Sequence, residues 1–489
     1  MKTYKPYHVL IFLVAVLLIL APIVWFVPAK GWTIGDFKIR FMTFEKFSNP
    51  VKKVNKDITT FIADVDTVLN EEETEPLFVD TLDKKIMGMP SGGKLNLESA
   101  THIAFSESGL KRFQAFLTKL EGVASSQKKL RILHYGDSQI EGDRMTAYIR
   151  QRVQEQFGGN GAGMIPAVNV YNTISYIQRV SPNFTRYTCF GGEKIKSKQY
   201  GIMNSVGRFT PEYLDSTERA NITSIKEAWV EIEPSKSAHG RSRNYNNVQM
   251  HYTGAVKPCK MKVYHQGNLI RDDSLVADGK HHVYRIELPQ NAGKLRFEFS
   301  SAISPNILGY SLEGDLGVQV DNIAMRGSSG TFFGNIDQSL AAKMYSEMNV
   351  ELIIMQFGGN SVPHFKDSSG VRNFARYFKG QLQTIRRLRP SAAIVVIGPS
   401  DMSRFEDGMY STYPLLPYCV EQLRKSALEV EAGYYDLYSA MGGENSMPAW
   451  VAKGLAGNDY IHFSNRGSSI ASQLFYDAFS SEYAKWKTQ

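Results

Sequence analysis

Cysteine is scarce in this chain: Cys189, Cys259 and Cys419 are the only three in 489 residues. So few, so far apart, exclude a disulfide framework and a multi-cysteine zinc site; at most one disulfide could form. Basic blocks are missing too. Lys plus Arg exceed Asp plus Glu by eight, 56 against 48, but the surplus is spread along the chain. That distribution excludes a basic nucleic-acid arm and suits an anionic polymer or surface. Disorder-type composition is also absent, since 43% of residues are hydrophobic and 21% charged, which is ordinary for a globular chain.

Long apolar runs are absent except for one. Val9–Phe26 (VLIFLVAVLLILAPIVWF) follows Lys2 and Lys5. Its eighteen residues exceed the roughly 7–15 of a signal-peptide core and approach the roughly 20 that span a bilayer. Early positive charges favour a cytoplasmic amino end. Residues 1–30 therefore read as a membrane anchor that leaves the remainder on the exported, periplasmic or extracellular side. The alternative is a cleaved signal peptide, for which Val27-Pro28-Ala29 offers a poor cleavage site.

Residues 31–125 carry weak signals, an acidic Asn70–Thr74 and a turn-rich Gly88–Gly93, and read as an extension or stalk. From there short apolar runs alternate with helical spacing. Strands are expected at Leu130–His134, Val318–Met325, Val350–Phe357, Ala392–Ile397 and Tyr434–Leu437. Helices are expected at Arg144–Phe157, Phe333–Met348, Val371–Leu388, Leu415–Val430 and Ser468–Trp486. Such alternation predicts βαβ units and a parallel five-stranded sheet. Between the first unit and the second strand, residues 181–316 instead hold short alternating runs (Ala228–Ile232, Val248–Tyr252, Met261–Tyr264, His282–Leu288, Leu295–Phe299) separated by turns. These predict an antiparallel β-sandwich inserted into an α/β domain built from 126–180 and 317–489.

Four motifs fall where such a sheet would gather them. Gly136-Asp137-Ser138 ends the first strand, so its serine sits on a strand-to-helix turn above the carboxyl edge. Gly327 closes the second strand and Gly358-Gly359-Asn360 the third. In an open sheet of order 2-1-3-4-5 these ends converge on one crevice. An acyl-transfer site needs backbone amides and a neutral side-chain donor for a developing oxyanion, which Ser138, Gly327 and Asn360 could supply. Asp459-Tyr460-Ile461-His462 precedes the last helix, and its carboxylate can orient the histidine that a serine nucleophile requires as base.

Ser, Gly, Asn and His in this order resemble the four blocks of the SGNH (GDSL-type) hydrolase superfamily over about Lys129–Phe157 and Val318–Trp486. Gly136-Asp137-Ser138 and Asp459–His462 are the specific matches, and Asn322–Gly327 resembles the second block, with Gly330 as its fallback glycine. The third block departs from the family's Gly-x-Asn-Asp, because Ser361 follows Asn360. The resemblance implies a three-layer, flavodoxin-like sheet and a serine esterase with Ser138 as nucleophile, His462 as base and Asp459 as its orienting group. It implies an oxyanion hole of Ser138, Gly327 and Asn360, with neither metal nor organic cofactor. The inserted sandwich further resembles peptidoglycan O-acetylesterases with an embedded carbohydrate-binding-like module, which implies an acylated polysaccharide or peptidoglycan as partner and no nucleic acid. The same site could transfer an acyl group to a sugar hydroxyl, or the domain could be an inactive glycan-binding scaffold.

The remaining candidates carry less. His364 could line a substrate cleft. Phe157–Gly163 (FGGNGAG) lacks the placement of a dinucleotide loop and reads as a rim of the active site. Adjacent strand residues His281 and His282 face opposite ways and cannot share a metal. His134 reads as core, as do Tyr245, Tyr252, Tyr264 and Tyr284, with sugar stacking the alternative for the tyrosines.

Overall fold

The computed structural model describes Tyr7, Val14–Val16, Trp32–Ile34, Phe37–Ile39 and residues 100–126, 128–288 and 292–489. Two compact units separate. The first comprises Met1–Lys56 with Phe405–Tyr410, and within it Trp32–Ile34 pairs antiparallel with Phe37–Ile39. The expected membrane anchor at Val9–Phe26 lies, apart from Val14–Val16, outside the described residues. Among the described residues no helix is long and apolar enough to cross a membrane.

The second unit is built on a parallel sheet of β1 (Lys129–Gly136), β2 (Gly317–Ala324), β3 (Val350–Gln356), β4 (Ala393–Ile397) and β5 (Gly433–Tyr435). Its order is β2-β1-β3-β4-β5, and every pairing is parallel. Each strand is buried nearly end to end, as strands covered on both faces must be, which explains their unbroken apolar sequences. The expected strands and helices match the observed ones to within a few residues at their ends.

Helices α1 (Glu107–Glu121), α2 (Thr146–Phe157) and α6 (Asn465–Lys487) cover one face, packing on Leu130, Ile132, Val318, Val320 and Ile354. Helices α3 (Gln338–Glu347), α4 (Ser368–Leu388) and α5 (Leu416–Glu429) cover the other, where Ile353, Met355, Ile394 and Val396 meet them. Period-two alternation along the strands sends neighbouring residues to opposite layers. Helix starts are written locally: Asp367 accepts from the amides of Ser369 and Gly370 at the head of α4, and Ser464 from Gly467 at the head of α6. Helix α1 falls inside the segment read as a stalk. Its Phe113, Phe116, Leu117 and Leu120 are buried in the α/β core, so the compact domain starts well before residue 126.

The insert is a sandwich of two antiparallel sheets. One runs Asn268–Leu275, Cys259–His265, Leu295–Ser301, Lys226–Pro234, Tyr176–Val180. The other runs His282–Glu287, Asn247–Thr253, Asn306–Glu313, Ser205–Arg208, Thr185–Thr188, with Gly163–Ile165 also paired to Asn306–Glu313. Its strands thus begin before residue 181, at Gly163. Tyr245 and Tyr252 are 2% exposed and belong to its core; Tyr264 and Tyr284 are half-buried.

The insert also closes one face of the parallel sheet. Met164, Tyr200, Ile202 and Leu308 share a core with Leu133, Tyr135 and Ile323 of β1 and β2, and the Tyr135 hydroxyl donates to the Ile202 carbonyl at 2.8 Å. Below them buried Arg131 of β1 donates to Asp321 of β2 at 2.7 Å, and to Glu313 of the insert. The loop after Phe157 is part of this junction and does not rim the active site. It packs at the amino end of β2, where the Val318 amide donates to the Gly158 carbonyl at 3.0 Å. A Cβ on Gly159 would lie 2.3 Å from the Val318 carbonyl oxygen, and one on Gly161 2.1 Å from that of Leu312. Close backbone approach, with positive φ at both positions, is what these glycines provide.

Candidate active site

Ser138 stands just beyond β1, and its neighbour Asp137 sets the turn by accepting the Gln139 amide at 2.9 Å. The chain then coils through Glu141–Asp143 into α2. From the other end of the domain, the loop before α6 is folded back as a tight turn in which Tyr460 has φ +57°. Asp459 organises that turn: its Oδ1 accepts the amides of Ile461 and His462, both at 3.0 Å. Its other oxygen, Oδ2, is 2.7 Å from His462 Nδ1. A carboxylate at that nitrogen holds the proton on Nδ1, which leaves Nε2 to accept from the Ser138 hydroxyl at 2.8 Å. Partial burial works to raise the Asp459 carboxyl. The hydrogen bonds from the His462 ring and from the two amides outweigh it and hold the carboxyl below its ordinary range.

Two residues pin this loop to the serine turn. The Gln139 side-chain amide donates to the Ile461 carbonyl at 2.7 Å, and its oxygen accepts the Phe463 amide at 3.3 Å. Arg144 donates to the carbonyls of Ser138, Glu141 and Phe463. Neither stood out in the sequence. Gln139 adjoins the serine, and that adjacency was the only signal available.

Asn360 follows β3 in a short 3-10 turn, Gly359–His364. Its amide nitrogen donates to Asp137 Oδ2 and to the Ser328 carbonyl, each at 3.0 Å. Asp137 therefore buttresses two of the candidate groups at once. Burial is the main influence on it and pushes its carboxyl up to about 6, against the hydrogen bonds from Gln139 and Asn360. Ser361, where the resemblance leads one to expect aspartate, lies 2.7 Å, hydroxyl to hydroxyl, from Ser329. It ties the Asn360 turn to the loop after β2.

Within that loop Gly327 and Gly330 have φ of +76° and +75°. A Cβ on Gly330 would strike the Phe357 ring at 2.7 Å, whereas nothing lies within 4 Å of one on Gly327. Neither glycine lines the cleft that holds the serine. That cleft has about 200 Å³ of free volume and is walled by Asp137, Ser138, Asn360, Pro399, Met402 and His462, with His364 also on its wall and exposed. His134 lies behind it, fully buried, 3.0 Å from the Gln356 amide oxygen and 2.9 Å from the Thr146 hydroxyl. Burial pushes its imidazole down to about 4, so it is a neutral core histidine. Among the described residues no three His, Cys, Asp or Glu side chains converge to hold a metal ion. His281 meets His251 at 3.4 Å, while His282 pairs separately with Asp278.

No protein-family model matches the sequence, and no curated relative does. Among solved structures, a peptidoglycan O-acetylesterase aligns over 76% of this chain and 96% of its own, at 18% identity with a TM-score of 0.59. A family two carbohydrate esterase from Clostridium thermocellum aligns over 54% of this chain and 92% of its own at 12% identity and a TM-score of 0.22. A salicylyl-acyltransferase from a tetracycline biosynthetic pathway covers 63% and 98%, at 13% identity and 0.26. The last two superpose too loosely to carry weight. The first shows a shared fold, an α/β sheet carrying an inserted sandwich.

Proposed function

We propose that this chain is a serine esterase that removes acyl groups, in particular acetyl, from a carbohydrate polymer of the cell envelope. The observation that carries the reading is the unbroken hydrogen-bonded series Ser138–His462–Asp459, at 2.8 and 2.7 Å, opening on a cleft. In this reading His462 Nε2 takes the hydroxyl proton as Ser138 Oγ attacks the ester carbonyl. The ester C–O bond breaks, the sugar oxygen leaves with the proton from His462, and the acyl group rests on Ser138. Water, deprotonated by the same imidazole, then releases the carboxylate and restores the hydroxyl. Asp459 stabilises the imidazolium formed in each half.

The negative oxygen of the tetrahedral intermediate needs fixed donors. The amide of Ser138 and the side chain of Asn360, both on the cleft wall, are assigned to it; the Gly327 amide, which the resemblance would add, lies off that wall. Both Asn360 amide hydrogens already have acceptors, so one must be shared with or released by the Ser328 carbonyl or Asp137 as charge develops. His364 is assigned to contact the substrate at the cleft wall. The apolar run Val9–Phe26 is assigned as the membrane anchor that holds the domain on the exported side.

The test is hydrolysis of p-nitrophenyl acetate and acetate release from acetylated xylan and from O-acetylated peptidoglycan. Ser138→Ala should abolish all three while melting at the wild-type temperature. Undiminished turnover by that variant would remove Ser138 as nucleophile.

A further inference from the structure

A second cavity lies between the insert and the carboxyl end of β2. Its walls include Asp143, Arg150, Tyr171 and Arg186, together with Asn322 and Ala324 from β2. Gly142 and Asp143, also in its wall, follow Ser138 on the same turn. Two of the three positive charges in this region are already matched. Arg150 donates to both oxygens of Asp143 at 2.7 and 3.2 Å. Arg326, lying over the Tyr171 ring at 5.6 Å, has Glu141 at 3.5 Å.

Arg186 is not matched. Its Nε is buried without a hydrogen-bond partner, and no carboxylate figures among the groups acting on it. Burial dominates its surroundings and pushes the guanidinium below its ordinary range. The residue as a whole is half-buried, a buried polar atom without a partner is costly, and a guanidinium is built to take a planar anion through two parallel hydrogen bonds. The free volume of the cavity is about 40 Å³, room for about three water-sized groups at roughly 10–15 Å³ each. That is the size of a carboxylate, which has three heavy atoms, and not of a sugar ring. At the rim Val170 is 51% exposed, so the cavity has a wall that faces solvent.

We infer that this cavity is an anion subsite in which Arg186 binds a carboxylate carried by the glycan whose acyl group is presented to Ser138. The inference rests on the esterase reading for the identity of the polymer, but not for the binding itself. A sugar carboxylate can come from a uronic acid or from the lactyl ether of a muramic acid, and both present the same group to Arg186.

Binding to full-length Ser138→Ala protein tests this without turnover. Calorimetry would use a galacturonate trimer, the disaccharide of N-acetylglucosamine and N-acetylmuramic acid, and neutral xylotriose. At least one acidic sugar should bind tenfold or more tighter than xylotriose, and whichever does so identifies the source. Adding Arg186→Gln should erase that preference, while Arg186→Lys, which keeps the charge but not the fork, should retain part of it. Because Arg186 has no ionic partner to lose, Arg186→Gln should melt no lower than its parent. Equal affinity for acidic and neutral sugars, or a preference untouched by Arg186→Gln, would overturn the subsite. Should the glutamine variant fail to fold, amide shifts in Ser138→Ala protein on adding the acidic sugar must fall around Tyr171 and Arg186; shifts elsewhere overturn it equally. Ester hydrolysis absent from the wild type, with the acidic preference intact, would sink the esterase reading alone.

Discussion

Asp459 has two carboxylate oxygens and uses them differently, one to fold the turn and one to face the histidine. The spacing Asp-x-x-His permits this, because three residues close a turn in which side chain and ring meet. Asp459→Asn separates the two tasks. Its amide oxygen can still accept the two backbone amides, but an NH2 facing Nδ1 moves the ring proton to Nε2 and blocks acceptance from Ser138. The variant should fold and melt like the wild type, since the side chain is about half exposed, while kcat falls by about 10⁴-fold. A folded variant with undiminished kcat would show that the carboxylate serves the turn alone.

Asp137 presents the opposite case, a carboxyl raised by burial from its ordinary 3.8 to about 6. Folding therefore favours its protonated form, and the stability this contributes is lost as pH rises from about 4 through about 6. Asp137→Asn removes the titration. The difference in Tm between variant and wild type should shift in favour of the variant across that interval and level off above it. A difference that stays flat with pH would mean the carboxyl is not raised. These residue-level roles were partly legible. Ser138, Asp459 and His462 announced themselves by motif, whereas Asp137 and Gln139 act through contacts with Asn360, Ile461 and Phe463 that only the fold brings near.

At the scale of elements, the parallel strands were readable because burial on both faces forces apolar runs that polar neighbours interrupt cleanly. Helix α1 was not, because its amphipathic pattern is separated from the first strand by little more than a short helical turn and follows a long weak stretch. The insert was readable as β-structure, but its attachment was not. The sequence suggests an embedded carbohydrate-binding-like module and gives no sign of contact with the sheet. Instead the insert lays Met164, Ile202 and Leu308 against Leu133, Tyr135 and Ile323, and supplies Glu313 to Arg131. Replacing it with a Gly/Ser linker uncovers at least three large side chains. At about 1.5–3 kcal/mol each, they amount to about 5–9 kcal/mol, comparable with the whole stability of a typical domain. The shortened protein should therefore lose its cooperative thermal transition by circular dichroism, and with it the turnover of small esters. A sharp transition near the wild-type temperature would show that the helical layers suffice to hold the sheet.

Across the whole molecule, the two halves of the α/β domain are joined by the insert at two places. At the amino end the glycine loop and the Arg131–Asp321–Glu313 cluster lock sandwich to sheet. At the carboxyl end the same junction forms the cavity of Arg186, next to the serine turn. In the reading proposed above, an insert so placed would act on substrate position without supplying a nucleophile or base. The central claim is narrower than this arrangement: Ser138 is an activated nucleophile, and His462 activates it. The full-length protein should be treated with a fluorophosphonate, and the adduct located by mass spectrometry after proteolysis. One adduct per chain on Ser138, lost in folded His462→Ala, is the predicted result; a folded wild-type protein that stays unlabelled, or carries the label on another residue, would contradict it.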